Sequence, residues 1–499
     1  MIKSREIELK LEMDGESSGL LLRHPLLEAA SAKTVDQHTV YFDTPTRTLR
    51  EAGFSLRVRK SGARHVQTVK QSGSGSAGLF DRPEWESEVA GFAVDYAAAA
   101  ATPLARHLTA KVRRKLVPLV ESKVRRTSWL LKPEGGEAEI EMILDQGRIS
   151  GGACERRVEE VEIELIRGEP DRLFELADVL AGQVPLRLGV LSKAERGYAL
   201  VDGVLDQVAK AERIALRAEM SVAEGFAAIA YSCLRHFRLN EPLVTARRDP
   251  GALHQARVAM RRLRSAFTLF RPAIAGEGFE RLREELRWFT GQLGDARNLD
   301  VLLKRFAGTE NKAQRMLIAR LEAARAAAYD QVIAALETQR LRALMLDLVR
   351  WIETGGWRTR RRAEAPLAGF AVEQLDRRWR TVKKTGRHLA ALEAEPRHRL
   401  RINVKKLRYA VEFLSGLQGG ETAARQKTFV TALADIQEQL GELNDAETAR
   451  ELIAGLRLKA DDAAAITARL TQQGCSEKQC LAAAEAGYAK LVEAGPYWR

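Results

Sequence analysis

The chain has 499 residues, more than one hydrophobic core ordinarily organises, so its length predicts two or more domains. It is 45% hydrophobic and 29% charged, and no apolar run approaches the roughly 20 residues of a membrane-spanning helix, which excludes an integral helical membrane protein. The four cysteines show neither paired spacing nor nearby histidines, which argues against a disulfide framework or a zinc site; they are Cys154, Cys233, Cys475 and Cys480. Because Met1 leads almost directly into a strand pattern, with no leader, a cytoplasmic protein is expected.

The net charge of +13 is distributed unevenly along the chain. Residues 1–200 contain 30 Lys+Arg and 30 Asp+Glu, so the totals of 80 and 67 leave 50 and 37 for residues 201–499. The whole excess of positive charge therefore lies in the second part. A neutral first part with dense charges of both signs predicts a site of interleaved cations and anions, and the basic second part predicts a polyanionic partner.

Eight segments of the first part alternate charged and apolar residues, which is typical of strands with one polar face. Asp145-Gln146-Gly147 is a turn signal near the end of the seventh. Helical spacing is seen at residues 17–30, 95–114 and 170–182. The predicted strands are Glu6–Met13, Thr39–Pro45, Phe54–Lys60, His65–Lys70, Glu84–Glu88, Leu116–Leu131, Ala138–Ile149 and Arg157–Ile166.

At least seven of these strands place charged residues at alternate positions on one face. The acids are Glu6, Glu8, Glu141, Glu162 and Glu164, and the bases are Lys10, Arg57, Arg59, Lys70, Arg126, Arg187 and Lys193. In a sandwich these charges would be solvated, whereas in a closed antiparallel barrel they would line a polar tunnel. The flanking helices could cover the outside of a barrel, which favours the tunnel.

A tunnel lined by cations beside a few carboxylates suits one ligand class, a short polyphosphate bound together with a divalent metal. Arginine and lysine neutralise phosphate oxygens. Carboxylates alone would repel such a ligand, so their presence implies Mg²⁺ or Mn²⁺ as a bridge.

Several ordered motifs in the first part resemble the CYTH family, the triphosphate tunnel metalloenzymes. They are the E-x-E-x-K opening at Glu6, Tyr41-Phe42-Asp43-Thr44-Pro45, Leu56-Arg57-Val58-Arg59, Arg82-Pro83-Glu84-Trp85-Glu86, the glutamates between Glu160 and Glu164, and Ser192 to Tyr198. The resemblance covers nearly all of residues 1–200. It implies an eight-stranded tunnel barrel, of a family whose members hydrolyse inorganic triphosphate or thiamine triphosphate or cyclise ATP.

The same resemblance implies roles for individual residues. The implied metal ligands are Glu6, Glu8, Glu162 and Glu164. The implied phosphate-binding residues are Lys10, Arg57, Arg59, Lys70, Arg126 and Lys193, and the charge pattern adds Arg187 to them. The predicted catalytic residues are Glu8, Glu141 and Lys10. Lys123-Val124-Arg125-Arg126 lacks the aromatic residue expected before the family's arginine, so either Arg125 or Arg126 could face the tunnel.

The second part is rich in Ala, Leu, Arg and Glu at helical periods and contains an internal repeat. His254-x2-Arg257-x3-Arg261-Arg262-Leu263-Arg264 recurs 144 residues later as His398-x2-Arg401-x3-Lys405-Lys406-Leu407-Arg408. Each copy is followed by a second motif, Gln292-Leu293-Gly294-Asp295 or Gln439-Leu440-Gly441-Glu442. Duplication of a helical unit predicts two pseudo-symmetric bundles.

Each repeat motif forms a basic stripe opposite an apolar stripe on its helix. The apolar residues are Ala259, Met260, Leu263, Phe267 and Phe270 in the first copy, and Val404, Leu407, Val411 and Leu414 in the second. The arrangement resembles the CHAD domain, the conserved histidine α-helical domain. That resemblance implies inorganic polyphosphate binding by His254, Arg257, Arg261, Arg264, His398, Arg401, Lys405 and Arg408.

Together these patterns predict a tunnel domain at 1–203, a linker at 204–218 and a helical domain at 219–499 with repeats at about 219–345 and 360–499. The predicted function is metal-dependent hydrolysis of inorganic triphosphate to pyrophosphate and phosphate, with tripolyphosphate and polyphosphate as ligands. Thiamine triphosphatase or a class IV type adenylate cyclase is the alternative, and a polyphosphate-binding scaffold is the non-enzymatic one. Aromatics suited to stacking on bases are scarce on the basic stripes, so nucleic acid is not the expected partner, and no membrane partner is expected.

Overall fold

The structure is a computed structural model that describes residues 2–73, 77–132, 138–306, 312–417, 423–455 and 476–499. Cys475 and positions 456–475 of the predicted second repeat lie outside the described residues. The chain divides into two compact units. The first contains Met1–Ala209 and Thr338–Thr354, and the second contains Lys210–Glu337 and Gly355–Arg499.

The first unit is built on a closed antiparallel barrel. Eight strands pair in the order β5-β4-β3-β2-β6-β7-β8-β1, and pairing of β5 with β1 closes the sheet, while the short β9 adds to β1. The strands are β1 (Ile2–Glu12), β2 (Ala32–Asp43), β3 (Phe54–Ser61), β4 (Arg64–Gln71), β5 (Leu79–Val89), β6 (Val117–Leu131), β7 (Glu139–Gly151), β8 (Cys154–Arg167) and β9 (Arg187–Leu188). The barrel is therefore confirmed over the sandwich.

Alternation along β1 shows how the sequence specifies the two faces of the barrel. Glu6, Glu8 and Lys10 point to the inside, whereas Leu9 and Leu11 are buried on the outside. Helices cover that outer face, so both faces of the strand are inaccessible to bulk water for different reasons. The outer face is packed against apolar side chains, and the inner face is packed with opposite charges.

Short helices flank the barrel strands in sequence. They are α1 (Gly15–Leu22), α2 (Pro25–Glu28), α3 (Thr48–Glu51), α4 (Tyr96–Ala100), a 3-10 helix (Pro103–His107), α5 (Ala110–Arg113), α6 (Asp171–Ala181) and α7 (Lys193–Val201). Apolar residues of β2 to β5, such as Leu56 and Val58, pack with Leu49 of α3 and Leu104 of the 3-10 helix. Helix α7 packs against β6, β7 and β8. Gly197 permits this close approach because a Cβ atom there would lie 2.1 Å from Val120 Cγ1.

The turn predicted from Asp145-Gln146-Gly147 is wrong, because β7 runs without interruption through these residues. Asp145 pairs with Arg126 of β6 on one side and with Glu160 of β8 on the other. Gly147 is needed for close strand contact, since a Cβ atom there would lie 2.1 Å from the Lys123 carbonyl oxygen. The Asp-Gln-Gly sequence thus marks a position where backbones approach, and Asp145 becomes an interior residue.

The remaining elements are helical. They are α8 (Val222–Arg247), α9 (Pro250–Ile274), α10 (Phe279–Gln292), α11 (Gly294–Phe306), α12 (Lys312–Leu336), α13 (Gln339–Thr354), α14 (Arg361–Glu364), α15 (Leu367–Thr385), α16 (Ala394–Leu414), α17 (Ala423–Gly455), α18 (Glu477–Ala494) and 3-10 helices at Leu389–Ala391 and Ser415–Leu417. All of them except α13 belong to the second unit. The apolar stripes predicted on the two repeat helices are buried, as expected, in α9 and α16. Across the described ranges, every helix is too short or too polar to cross a lipid bilayer.

Candidate active site

A cavity of about 280 Å³ lies inside the barrel and is lined almost entirely by polar side chains. Its cationic lining residues are Lys10, Arg57, Arg59, Lys70, Arg82, Arg126 and Lys193, and its acidic ones are Glu6, Glu8, Glu84, Glu86, Glu141, Glu162 and Glu164. The predicted tunnel residues are therefore gathered in one cavity, with Arg187 as the exception. Equal numbers of the two signs agree with the balanced charge of the first 200 residues.

Strand register places three carboxylates in one row across the barrel wall. Glu8 of β1 lies opposite Glu164 of β8, and Glu164 lies opposite Glu141 of β7. Lys10 lies opposite Glu162 in the same alternating set of β1–β8 pairs. The E-x-E-x-K spacing of β1 thus presents acids at one level of the cavity and a lysine at the next.

At the lysine level, three carboxylates and three cations form a dense ion-pair network. Lys10 Nζ donates to Glu160 Oε1 at 3.0 Å and to Glu162 Oε1 at 2.6 Å. Lys193 Nζ lies 2.9 Å from the same Glu162 oxygen and 2.7 Å from Asp145 Oδ2. Although burial opposes ionisation, the charges of Lys193 and Arg126 hold the pKa of Asp145 at about 2. Ligand oxygens of Asp145, Glu160 and Glu162 lie within 4.8 Å of one another, yet these carboxylates are already neutralised by cations.

Two acids of the carboxylate row, Glu8 and Glu164, have the opposite character, because their pKa values are raised. Burial, together with repulsion from Glu6 and Glu8, raises the pKa of Glu164 to about 8. Burial and repulsion from Glu162 and Glu6 also raise the pKa of Glu8, although Arg82 Nη2 donates to Glu8 Oε1 at 2.9 Å. Glu6 behaves differently: burial opposes its ionisation, but Lys70 and Arg82 lower its pKa to about 2. Crowded carboxylates that repel one another are the donor set that a hard divalent cation prefers, so the residues fit a Mg²⁺ or Mn²⁺ ion.

The arginines of the cavity also repel one another, with positive instead of negative charge. Burial and repulsion from Arg57 and Arg126 lower the pKa of Arg59 to about 10. Burial opposes ionisation of the Tyr41 hydroxyl, yet Arg57 and Arg59 lower its pKa, which shows how positive this side of the cavity is. An anion bound here would relieve the repulsion among the guanidinium groups. The cavity therefore combines a place for a cation with a place for an anion.

The structure decides which of two adjacent arginines faces the cavity. The Arg126 side chain is 13% exposed, whereas that of Arg125 is 69% exposed. Arg126 Nε donates to Asp145 Oδ1 at 2.8 Å, and its Nη2 donates to Glu162 Oε2 at 2.9 Å. Arg126 is therefore the interior residue.

Arg187 is not brought to the cavity. It lies on β9 opposite Glu12, at the end of β1 beyond Lys10, and its charge acts on the carboxyl of Asp14. The period-two argument failed here because β9 has only two residues, so alternation does not fix its depth in the barrel.

Sequence reasoning missed several cavity residues on β5. Arg82, Glu84 and Glu86 all line the cavity and follow the same alternation that identified the β1 residues. Pairing of Glu6 with Arg82 across β1 and β5 places their side chains on one face. The signal was therefore present in the motif around Pro83, although that motif was used only for the resemblance.

The predicted basic residues of the second unit lie on α9 and α16, which pack against each other. Arg261 Nε donates to the Tyr409 hydroxyl at 2.7 Å, and the Arg408 guanidinium lies 5.4 Å from the centroid of the Tyr409 ring. One arginine from each repeat therefore meets at the same aromatic side chain. His398, by contrast, is exposed on the first half of α16.

The second repeated motif has a structural role beside the first. Arg257 Nη1 donates to the Leu293 carbonyl at 3.0 Å, and a Cβ atom at Gly294 would lie 3.3 Å from that nitrogen. In the other repeat, a Cβ atom at Gly441 would lie 3.9 Å from Arg401 Nη2. Gly294 thus leaves room for Arg257, whereas the approach of Gly441 to Arg401 is an ordinary van der Waals contact.

More cations surround α9 than the repeat motif alone indicates. Burial and the charges of Arg297 and Arg261 lower the pKa of His254 to about 4, so its imidazole is neutral at pH 7. Burial and the charges of Arg287 and Arg283 lower the pKa of Arg264. The basic surface is therefore formed by α9 with parts of α10 and α11.

Known protein families match both parts of the chain. The CYTH domain family matches residues 4–198, and the CHAD domain family matches residues 228–454. The chain therefore contains a CYTH domain and, after it in sequence, a CHAD domain. The CYTH match coincides with the barrel, and the CHAD match contains both repeat helices.

Two individual relatives are informative. An inorganic triphosphatase from Haemophilus influenzae is 28% identical over 209 residues, a match that covers 40% of this chain and 56% of that protein. The chain thus matches little more than half the length of this relative. The crystal structure of the CHAD domain from the plant Ricinus communis shares 30% identity with a TM-score of 0.51, covering 56% of this chain and 96% of that one.

The raised pKa of Glu164 predicts a pH-dependent stability of the CYTH domain. Its folded pKa of about 8 lies above the ordinary 4.5, so the folded state holds the proton more tightly than the unfolded state. This contribution is complete below pH 4.5 and is lost as the pH rises through 8. Thermal unfolding of the full chain in EDTA should show a Tm that falls between pH 5 and pH 8, by about 2–4 °C for each kcal/mol lost.

Glu164→Gln provides the comparison for this measurement. Because glutamine cannot titrate, the difference in Tm between pH 5 and pH 8 should be smaller in the variant than in the wild type. Ionisable groups outside the cavity contribute equally to both proteins and cancel in this difference. Identical pH profiles for the two proteins would contradict the prediction.

Proposed function

We propose that the CYTH domain hydrolyses inorganic triphosphate to pyrophosphate and phosphate with Mg²⁺ or Mn²⁺, and that the CHAD domain binds inorganic polyphosphate. The proposal for the CYTH domain rests on the different charges on the two sides of the cavity. Buried arginines repel one another on one side, and buried glutamates resist ionisation on the other. A short polyphosphate with a divalent cation satisfies both sides at once.

The proposed roles follow the positions of the side chains. Glu6, Glu8 and Glu164 form the carboxylate group that would hold the metal. Glu162, two residues from Glu164 on the same face of β8, is the proposed fourth ligand, and it would exchange a contact with Lys10, Lys193 or Arg126 for the metal. The proposed phosphate-binding residues are Lys10, Arg57, Arg59, Lys70, Arg126 and Lys193. When bound, the metal would add positive charge to the phosphate oxygens.

The chain's own residues account for the rest of the proposed reaction. A water attacks the terminal phosphorus, the bond from that phosphorus to its bridging oxygen breaks, and pyrophosphate leaves with the electron pair. One of two acids in the carboxylate row, Glu8 or Glu141, orients the water and accepts its proton. The cations stabilise the charge that accumulates on the leaving pyrophosphate.

The proposed role of the CHAD domain rests on the packing of two cationic helices. Arg261 and Arg408 meet at Tyr409, and Arg283, Arg287 and Arg297 add positive charge around α9. A flexible chain of phosphates can contact many such groups at once, and its release of counterions favours binding at low salt. His254, Arg257, Arg261, Arg264, His398, Arg401, Lys405 and Arg408 are the proposed contacts.

The test is release of phosphate from tripolyphosphate, ATP and thiamine triphosphate, each with Mg²⁺, Mn²⁺ or EDTA. Metal-dependent release from tripolyphosphate, with pyrophosphate as the other product and little release from the other two, is the expected result. Preference for thiamine triphosphate, or formation of cyclic AMP from ATP, would replace the proposed substrate. Absence of turnover with all three would leave polyphosphate binding as the main function.

A further inference from the structure

One helix packs with the barrel although it lies far from the barrel in sequence. Helix α13 groups with residues of the first unit, and it contacts α6 and β9. Its neighbours in sequence, α12 and α14, both belong to the second unit. The family match to the CHAD domain includes residues 339–354, so sequence similarity gives no sign of this packing.

Arg350 of α13 bonds directly to α6. Arg350 Nε donates to Asp171 Oδ1 at 2.7 Å, and Nη2 donates to Asp171 Oδ2 at 2.6 Å, which is a bidentate pair. Its Nη1 reaches Asp178 Oδ2 at 3.2 Å, and the Thr354 hydroxyl donates to Asp171 Oδ1 at 3.0 Å. Because Asp171 begins α6 and Asp178 lies two turns later, the network fixes the helix along most of its length.

Helix α6 in turn contacts the strands that carry the cavity residues. It packs against β1 and β8, and the chain continues from α6 into β9, which pairs with β1 at Leu11 and Glu12. Gly189 N then donates to the Lys10 carbonyl at 2.9 Å. A Cβ atom on Gly189 would lie 2.7 Å from Lys10 Cγ, so this segment packs directly against the stem of the buried lysine.

The same segment leads into the second buried lysine of the cavity. After Gly189 the chain reaches Ser192, whose side chain caps α7, and Lys193, which bonds Asp145 and Glu162. The position of the segment after α6 therefore affects both lysines that hold Glu162. Contacts of α13 with α6 and β9 act on the beginning of this segment.

We propose that Arg350 is a positioning residue for the tunnel: through α6 and β9 it holds Lys10 and Lys193 in place for binding triphosphate. The inference rests on the proposed function of the CYTH domain and adds to it a residue that touches no ligand. It also assigns α13, which lies within the CHAD sequence, a role in substrate affinity.

The test uses the full-length chain with Arg350→Ala and Arg350→Lys. A shift of the two lysines weakens their contacts with bound triphosphate and their stabilisation of the charge that accumulates on pyrophosphate, which raises KM and lowers kcat. We expect Arg350→Ala to raise the KM for tripolyphosphate about threefold to tenfold and to lower kcat by a smaller factor. Arg350→Lys keeps the charge but loses the bidentate geometry, so its KM should lie between those of the other two proteins.

Arg362→Ala is the matched control, because Arg362 Nη2 bonds both oxygens of Glu373, at 2.6 and 2.8 Å, in the second unit. Its KM should equal that of the wild type. An unchanged KM in Arg350→Ala, or a loss of kcat alone through partial unfolding, would overturn the inference while the proposed function stands. If the wild type releases no phosphate, the proposed function fails, and the Kd for tripolyphosphate measured by calorimetry must show the same shift for the inference to survive.

Discussion

Glu8→Gln is expected to abolish metal-dependent phosphate release from tripolyphosphate, lowering kcat by about 10²–10³-fold. The substitution keeps the size of the side chain and leaves an oxygen to accept the hydrogen bond from Arg82 Nη2, which lies 2.9 Å from Glu8 Oε1. What it removes is one negative charge from the row formed with Glu164 and Glu141. Binding of the metal and orientation of the water both depend on that charge.

The matched control for this variant is Glu88→Gln on the same barrel. Glu88 lies on β5, its side chain is 64% exposed, and it pairs with Arg64. It should retain wild-type activity, and both variants should unfold within a few degrees of the wild type. Residual activity of Glu8→Gln above about one tenth of wild type would remove Glu8 from the proposed catalytic group.

Replacement of Arg257, Arg261 and Arg264 by glutamine is expected to raise the Kd for long-chain polyphosphate about 100-fold at low salt. These residues lie on successive turns of the positive face of α9. Burial and the charges of neighbouring arginines lower the pKa of Arg264 there. The slope of log affinity against log salt should fall by about 2, since each lost phosphate contact removes about 0.7. Calorimetric titration between 50 and 300 mM salt would measure both quantities.

Two further variants distinguish the effect of arginine position on α9 from the effect of total positive charge. Gly294→Val retains all three arginines but places a side chain 3.3 Å or less from Arg257 Nη1, so an intermediate loss of affinity is expected. Glutamine at Arg362, Arg380 and Arg425, which are exposed on other helices, removes the same charge elsewhere and should change Kd little. Equal losses in this control and in the α9 variant would indicate a diffuse charge effect instead of a site.

Local alternation, together with the predicted flanking helices, predicted the barrel and most of the cavity. Glu6, Glu8 and Lys10 were recognised because the side chains of a strand alternate between its faces. Asp145 was missed because Asp-Gln-Gly favours a turn in isolation, whereas pairing with both β6 and β8 outweighs that preference in the fold. Arg187 was wrongly assigned to the cavity. Its depth in the barrel is set by the pairing of β9 with β1, which the local sequence does not encode.

The site of α13 could not be predicted for a related reason. Its amphipathic pattern shows that one face is buried, but the pattern does not indicate which surface covers that face. The bidentate pair of Arg350 with Asp171 joins residues 179 positions apart. Only the folded chain shows that Arg350 and Asp171 meet.

The membership of α13 in the first unit affects how the protein is made. The last strand of the first unit, β9, ends at Leu188, whereas α13 ends at Thr354. At a synthesis rate of about 5–20 residues per second, the ribosome needs roughly 10–30 s to add the intervening residues. During that time the barrel strands can close, but α6 and β9 lack the helix that packs on them. Assembly of the first unit is therefore complete only after more than two thirds of the chain has been translated.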